Sequence, residues 1–115
     1  MEFQSYRILG CPCLAVRDHE VASQIISFVR GKKAGYSVAI NAEKIWRYKS
    51  DPELRSVIEQ SIFPYPDGAG AVLGLGWLHS ADSDKVNMPI RALEVANCCK
   101  LKTFIIGADE INHEL

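Results

Sequence analysis

SIFPYPDGAGAVLGLGWL, residues 61–78, begins apolar and β-like, turns on one acid and a glycine, and continues as an apolar run broken by three more glycines. Ser61 to Tyr65 reads as a short buried strand, and the Asp67-to-Gly70 turn leads into a glycine-rich helix running to about Leu78. A strand passing directly into a helix is half of a β-α-β unit. Upstream the pattern repeats: YSVAIN, Tyr36 to Asn41, is apolar and β-branched, and a helix from Ala42 to about Tyr48 follows it at once. Ser50 or Asp51 can cap the next helix, which Pro52 opens and whose inner face is Leu54, Val57 and Ile58. Nearer the amino terminus, Val21, Ala22, Ile25, Ile26, Phe28 and Val29 recur at helical spacing between a capping Asp18 and Gly31. Before them, Tyr6 to Val16 is β-leaning but interrupted by Gly10 and Pro12, which predicts a bent edge strand or hairpin. Beyond the polar loop HSADSDK, Pro89 starts a helix with Ile90, Leu93, Val95, Ala96 and Cys99 on its apolar side, and LKTFIIG ends the series as a buried strand. This alternation predicts an α/β fold: one domain over residues 1–115, with a Rossmann-like, mostly parallel sheet and helices on both faces.

A chain of 115 residues, 48% hydrophobic and 23% charged, has the composition of a globular domain. No apolar run reaches the ~18 residues of a membrane span. The net charge of −1 and the scattered basic residues argue against nucleic-acid binding. MEFQSYRILG has no apolar signal core, which places the chain in the cytoplasm as an expectation. The four cysteines fall as CPC and CC, too tightly spaced for paired zinc ligands, and Cys98 and Cys99 read as small packing residues of a helix. No metal and no cofactor is expected.

Sheets of the predicted kind bind ligands beyond the carboxyl ends of their strands. Three polar groups are predicted to meet there: Asn41 with Glu43, Asp67 with its glycines, and Gly107 to Asp109. DGAGAVLG fails as a dinucleotide fingerprint, because Gly74 lies one residue beyond the third glycine position. No Lys-Ser or Lys-Thr follows to make a P-loop. Gly70, Gly74 and Gly76 instead read as points where the helix closely approaches another backbone. Asp67 has two readings that spacing does not separate: an N-cap for its helix, or a general base at a strand tip. Asn41 can likewise be a cap, and Glu43 a first-turn acid favoured by the helix dipole.

The wording AINAEKI, DPELRSVIEQSIFPYPDGAGAV and KVNMPIRALEVANCCKLKTFIIGA resembles the WecG/TagA/CpsF family of bacterial glycosyltransferases, in order and from RILG onward. The resemblance implies transfer of N-acetylmannosaminuronic acid or N-acetylmannosamine from a UDP-sugar to polyprenyl-diphosphate-linked N-acetylglucosamine. Such transfer builds cell-surface polysaccharide and inverts the anomeric centre. Asp67 would be the catalytic base, and Asn41, Glu43, Gly68, Gly70 and Lys85 would bind substrate. Lys85 stands where the family usually has Arg, so a point charge replaces a planar fork. Where the family continues Arg-Val-x-Gly-x-Asp, this chain reads Lys85 to Ile90, without that glycine or acid.

The resemblance also implies that the chain corresponds to the amino-terminal, acceptor-side half of a family member. The other half brings further strands, much of the nucleotide site and a basic tail that associates with the inner face of the membrane. An unpaired sheet edge would then favour a homo-oligomer. The alternative function is a non-catalytic relative serving as a binding or assembly module.

Overall fold

The computed structural model describes residues 3–107. Strands β1 (Ser5–Ile8) and β2 (Cys11–Leu14) come first, followed by helix α1 (Asp18–Arg30), β3 (Ser37–Ile40), α2 (Ala42–Tyr48), α3 (Pro52–Glu59), β4 (Phe63–Pro66), α4 (Ala69–His79) and α5 (Met88–Cys99). Most elements thus lie where hydrophobic periodicity and capping residues put them. Asp51 caps α3 by accepting the Leu54 N–H at 3.0 Å, with Pro52 at the first turn. At α1 the cap falls on Arg17, and Asp18 is the first helical residue.

The expected large parallel sheet does not form. Helix makes up 49% and strand 15% of the described residues, and their strands divide into two separate pairs: an antiparallel hairpin β1–β2 and a parallel pair β3–β4. Three local causes account for this. First, β1 and β2 satisfy each other from Ser5–Leu14 to Ile8–Cys11 across a tight turn at Leu9 and Gly10, both of positive φ, and join no other strand among the described residues. Second, β4 reads FPYP. Pro64 and Pro66 are two residues apart, so both missing N–H groups fall on one side of the strand and regular laddering there fails. Third, LKTFIIG, residues 101–107, is in no strand. Its Phe104, Ile105 and Ile106 are at least 85% exposed rather than buried. Helix α5 ends on Lys100 in the left-handed conformation, which turns the chain away from it.

The β3–β4 pair is the centre of the molecule even so. Its residues alternate between two faces, as the two-residue period of a strand requires. Ile40 packs with Ile8, Cys11, Cys13, Ile45, Tyr48, Ile58, Ala71 and Leu75, a core shared by the hairpin, α2, α3 and α4. Phe63 and Tyr65 face the other way, onto Val16, Val21 and Val86. Burial pushes the Cys11 thiol up to about 11 and that of Cys13 to about 12, so both are inert, protonated core residues. Cys98 and Cys99, expected as packing residues, are exposed.

The polar segment between α4 and α5 is pinned rather than loose. Ser83, buried, accepts the Val16 N–H and donates to the Val16 carbonyl, both at 2.9 Å. Asp84 accepts the Asp18 N–H at 2.9 Å, capping α1 from outside, and pairs with Arg17, which also meets Asp82. The Asp18 carboxylate in turn takes both Nε and Nη2 of Arg91, at 3.1 and 2.7 Å, and ties α1 to α5.

This clamp predicts acid sensitivity. Arg91 holds the Asp18 carboxyl below the usual Asp range, and the Asp18 N–H, followed by Arg17, does the same for Asp84. Groups whose folded values are depressed contribute stability that is complete above the unfolded value and is lost as pH falls through the folded one. Urea midpoints are therefore expected to hold steady from neutral pH to about pH 4 and then decline. Asp84→Asn should flatten part of that decline.

Candidate active site at the tips of the parallel pair

Strands β3 and β4 run in register, Ile40 opposite Pro66, so the next residue of each, Asn41 and Asp67, lies at the same end of the pair. The Asp67 N–H donates to the Ile40 carbonyl at 2.9 Å, fixing the two tips side by side at the ~4.8 Å spacing of neighbouring strands. Asp67 is half-buried, and its carboxylate makes no hydrogen bond or ion pair with the described residues. It does not cap α4. The N-cap is Gly68, without a side-chain cap bond.

Gly68 resolves why this turn holds a glycine. Its φ of 105° and ψ of 162° lie in a region that only glycine enters at low cost, and that conformation swings the chain from β4 into α4. Nothing lies within 4 Å of where a Cβ would stand, so the cost of substitution is backbone strain alone. Gly68→Ala is expected to lower stability by about 1–3 kcal/mol, read as a shifted urea midpoint with an unchanged m-value. Gly70 serves proximity: a Cβ there would stand 3.0 Å from the Ala42 Cβ, where the first turns of α4 and α2 touch. Gly74 meets the Ile8 side chain rather than another backbone, and Gly76 has only the Ala81 carbonyl nearby, at 3.9 Å.

Asp67 and Lys85 line one cavity of about 370 Å³, with Tyr65, Val86, Asn87, Met88 and Pro89. Lys85 is carried there by its neighbours. The Asp84 N–H donates to the Val16 carbonyl at 2.7 Å and the Val86 N–H to the Pro66 carbonyl at 3.0 Å, so both flanking peptides are bonded. Tyr65 precedes Asp67 by two residues, which is the period that puts two strand side chains on one face. Burial, followed by the Asp67 carboxylate, pushes the Tyr65 phenol above its ordinary range and keeps it a neutral donor. The period-two relation to Asp67 was available in the sequence as a pointer to Tyr65. Nothing in the local pattern pointed to Asn87, Met88 or Pro89.

The remaining candidates stand apart from the cavity. Asn41 Oδ1 accepts the Lys44 N–H at 2.9 Å and caps α2, so the group left to offer a ligand is its NH2, a donor pair. Glu43 is on the exposed side of α2, 3.6 Å from Arg47. Gly107 lies at the end of the described segment, and the Ala108–Asp109 part of that predicted feature falls outside the described residues.

A carboxylate without a local partner, a nearby cation and a neutral phenol around one cavity form a set suited to moving a proton and holding an anionic ligand. Residues 6–114 match the model of the Glycosyl transferase WecG/TagA/CpsF family. The chain belongs to that family, and the match spans nearly its whole length. No solved structure matches it. Among the described residues, no helix is long and apolar enough to cross a membrane.

Proposed function

We propose that this glycosyltransferase-family chain carries the acceptor side of an inverting transfer. The reaction moves N-acetylmannosaminuronic acid or N-acetylmannosamine from a UDP-sugar to polyprenyl-diphosphate-linked N-acetylglucosamine, in cell-surface polysaccharide synthesis at the inner face of the membrane. The observation that carries this reading is the Asp67 carboxylate: it opens on a cavity with Lys85 and is not consumed as a helix cap.

Asp67 takes the proton from the acceptor hydroxyl as its oxygen attacks the anomeric carbon. The bond to UDP breaks on the opposite face, the electron pair leaves with the diphosphate, and configuration inverts. Lys85 supplies positive charge toward diphosphate oxygens. The Asn41 NH2 donates to a sugar oxygen, and the neutral Tyr65 phenol offers a second donor. Gly68 keeps the approach to Asp67 free of a side chain, and Gly70 contributes by letting the first turn of α4 close on that of α2. Glu43 supports the site indirectly, by favouring the first turn of α2.

The test is transfer from UDP-N-acetylmannosaminuronic acid or UDP-N-acetylmannosamine to a soluble lipid-diphosphate N-acetylglucosamine analogue. Product of inverted configuration is expected. Absence of transfer together with saturable binding of the acceptor analogue would favour the non-catalytic binding module instead.

A further inference from the structure

A large groove lies away from Asp67. It has a volume of about 880 Å³, is bordered by Leu9, Gly10, Ile45, Trp46, Tyr48, Lys49, Ser50 and Arg55, and shares no lining residue with the strand-tip cavity. We infer that this groove and its rim dock on an anionic bilayer surface.

Two residues of the groove are costly unless something covers them. Leu9 sits at the tip of the β1–β2 turn with φ of 49°, a conformation that favours Asn or Gly, and it is 67% exposed. Trp46 is 79% exposed on α2, although its neighbour Ile45 is buried in the core. An apolar side chain held in a strained, solvent-facing turn, next to an exposed indole, is the kind of outlier that points to a function.

Charge selects the occupant. Lys49 and Arg55 line the groove and no carboxylate does. Arg55 is fixed with its guanidinium donating to the Tyr48 and Lys49 carbonyls, at 3.2 and 2.6 Å, and stacked over the Tyr48 ring. Of the acids on the neighbouring helices, Glu43 and Asp51 pair with Arg47, and Glu59 with Arg7 and the Tyr48 hydroxyl; Glu53, in the first turn of α3, is unpaired among the described residues but does not line the groove. A two-fold contact with a second copy would set Lys49 and Arg55 against themselves. A small soluble anion would have no use for Leu9 and Trp46 projecting from the rim. A bilayer with anionic headgroups meets both requirements, because indole rings settle at headgroup depth while Lys and Arg meet lipid phosphates. The inference goes beyond the proposed transfer, and it is read without catalysis.

The chain is mixed with vesicles of phosphatidylglycerol and phosphatidylcholine, or of phosphatidylcholine alone, and binding is measured by co-sedimentation. Trp46 and Trp77 are the two tryptophans, so Trp77→Phe leaves Trp46 as the sole indole reporter. The expected result is binding to the anionic vesicles with a blue shift of Trp46 emission. Leu9→Gly and Trp46→Gln should each weaken it about tenfold, and Lys49→Gln about fivefold. Leu9→Gly relieves the positive-φ strain, so its loss of binding cannot be ascribed to unfolding. The inference is overturned by failure of the chain to bind anionic vesicles, or by binding without a Trp46 shift. Undiminished binding of Leu9→Gly and Trp46→Gln also overturns it. So does a concentration-dependent dimer, seen by sedimentation without lipid, that buries Trp46. Each of these outcomes leaves the transfer assay standing.

Discussion

Asp67→Asn is expected to lower the rate of sugar transfer by about 10²–10⁴, the range over which a positioned general base accelerates a reaction. The substitution is nearly isosteric and replaces a group that can accept a proton with one that cannot. It removes no structural bond, because the carboxylate has no hydrogen-bond or ion-pair partner among the described residues and the cap of α4 is Gly68. Stability should therefore stay within about 0.5 kcal/mol of the parent. The loss should appear in kcat with little change in KM for the acceptor, since proton removal is felt in the transition state rather than in the ground-state complex. An undiminished rate in the Asn variant would dismiss Asp67 as the base. A variant that lost rate and stability together would indicate a structural carboxylate instead.

The readings of Asp67 left open by its spacing separate once φ and ψ are known. A strand–Asp–Gly–helix order permits the acid to be the cap, and the usual preference of Asp for that position favours it. What shifts the cap by one residue is Gly68, whose φ of 105° no side-chain-bearing residue adopts cheaply. Asn41 shows the opposite outcome at the neighbouring tip. It too follows a strand and precedes a helix, and there the side chain does cap. Two similar local sequences thus give different commitments, because one has a glycine after the polar residue and the other an alanine.

The fold was legible at the level of single elements and not at the level of the sheet. Periodicity places a helix from Asp18, a strand over Tyr36 to Asn41 that is observed as Ser37–Ile40, and a helix opened by Pro52, since each buries an apolar face that the spacing reveals. Sheet order depends on which backbone donors and acceptors meet, and apolarity does not encode that. FPYP looks as buried as any central strand, and it is fully buried, yet its two prolines withhold ladder donors. LKTFIIG is as apolar as β3 but stays exposed, so composition alone does not make a strand. The segment carrying Lys85 was equally opaque. HSADSDK reads as a solvated loop, whereas Ser83 and Asp84 bond residues more than sixty positions earlier and thereby hold Lys85 at the cavity.

Ile40→Ala should be the most damaging single truncation bearing on the site. Ile40 is fully buried, closes β3, and packs at once against the hairpin and the helices α2, α3 and α4. Removing its branched side chain forfeits transfer free energy and leaves a cavity that these elements cannot all collapse to fill, which costs about 2–5 kcal/mol. For a domain holding 5–15 kcal/mol in total, that is a large share. Ile40→Val, with most of the volume kept, should cost only about 0.5–1.5 kcal/mol. The difference between the two separates packing from any backbone effect, because neither substitution touches the Ile40 carbonyl that receives the Asp67 N–H. Urea midpoints give the stabilities. Acceptor binding measured well below the midpoint then tells whether the tips of β3 and β4 keep their register when the side chain beneath them is gone: unchanged affinity in folded Ile40→Ala would mean that the 2.9 Å backbone bond alone aligns Asn41 with Asp67. The expected result is weaker binding for Ile40→Ala and parent-like binding for Ile40→Val, with side-chain packing under the tips setting the geometry that the backbone bond only completes.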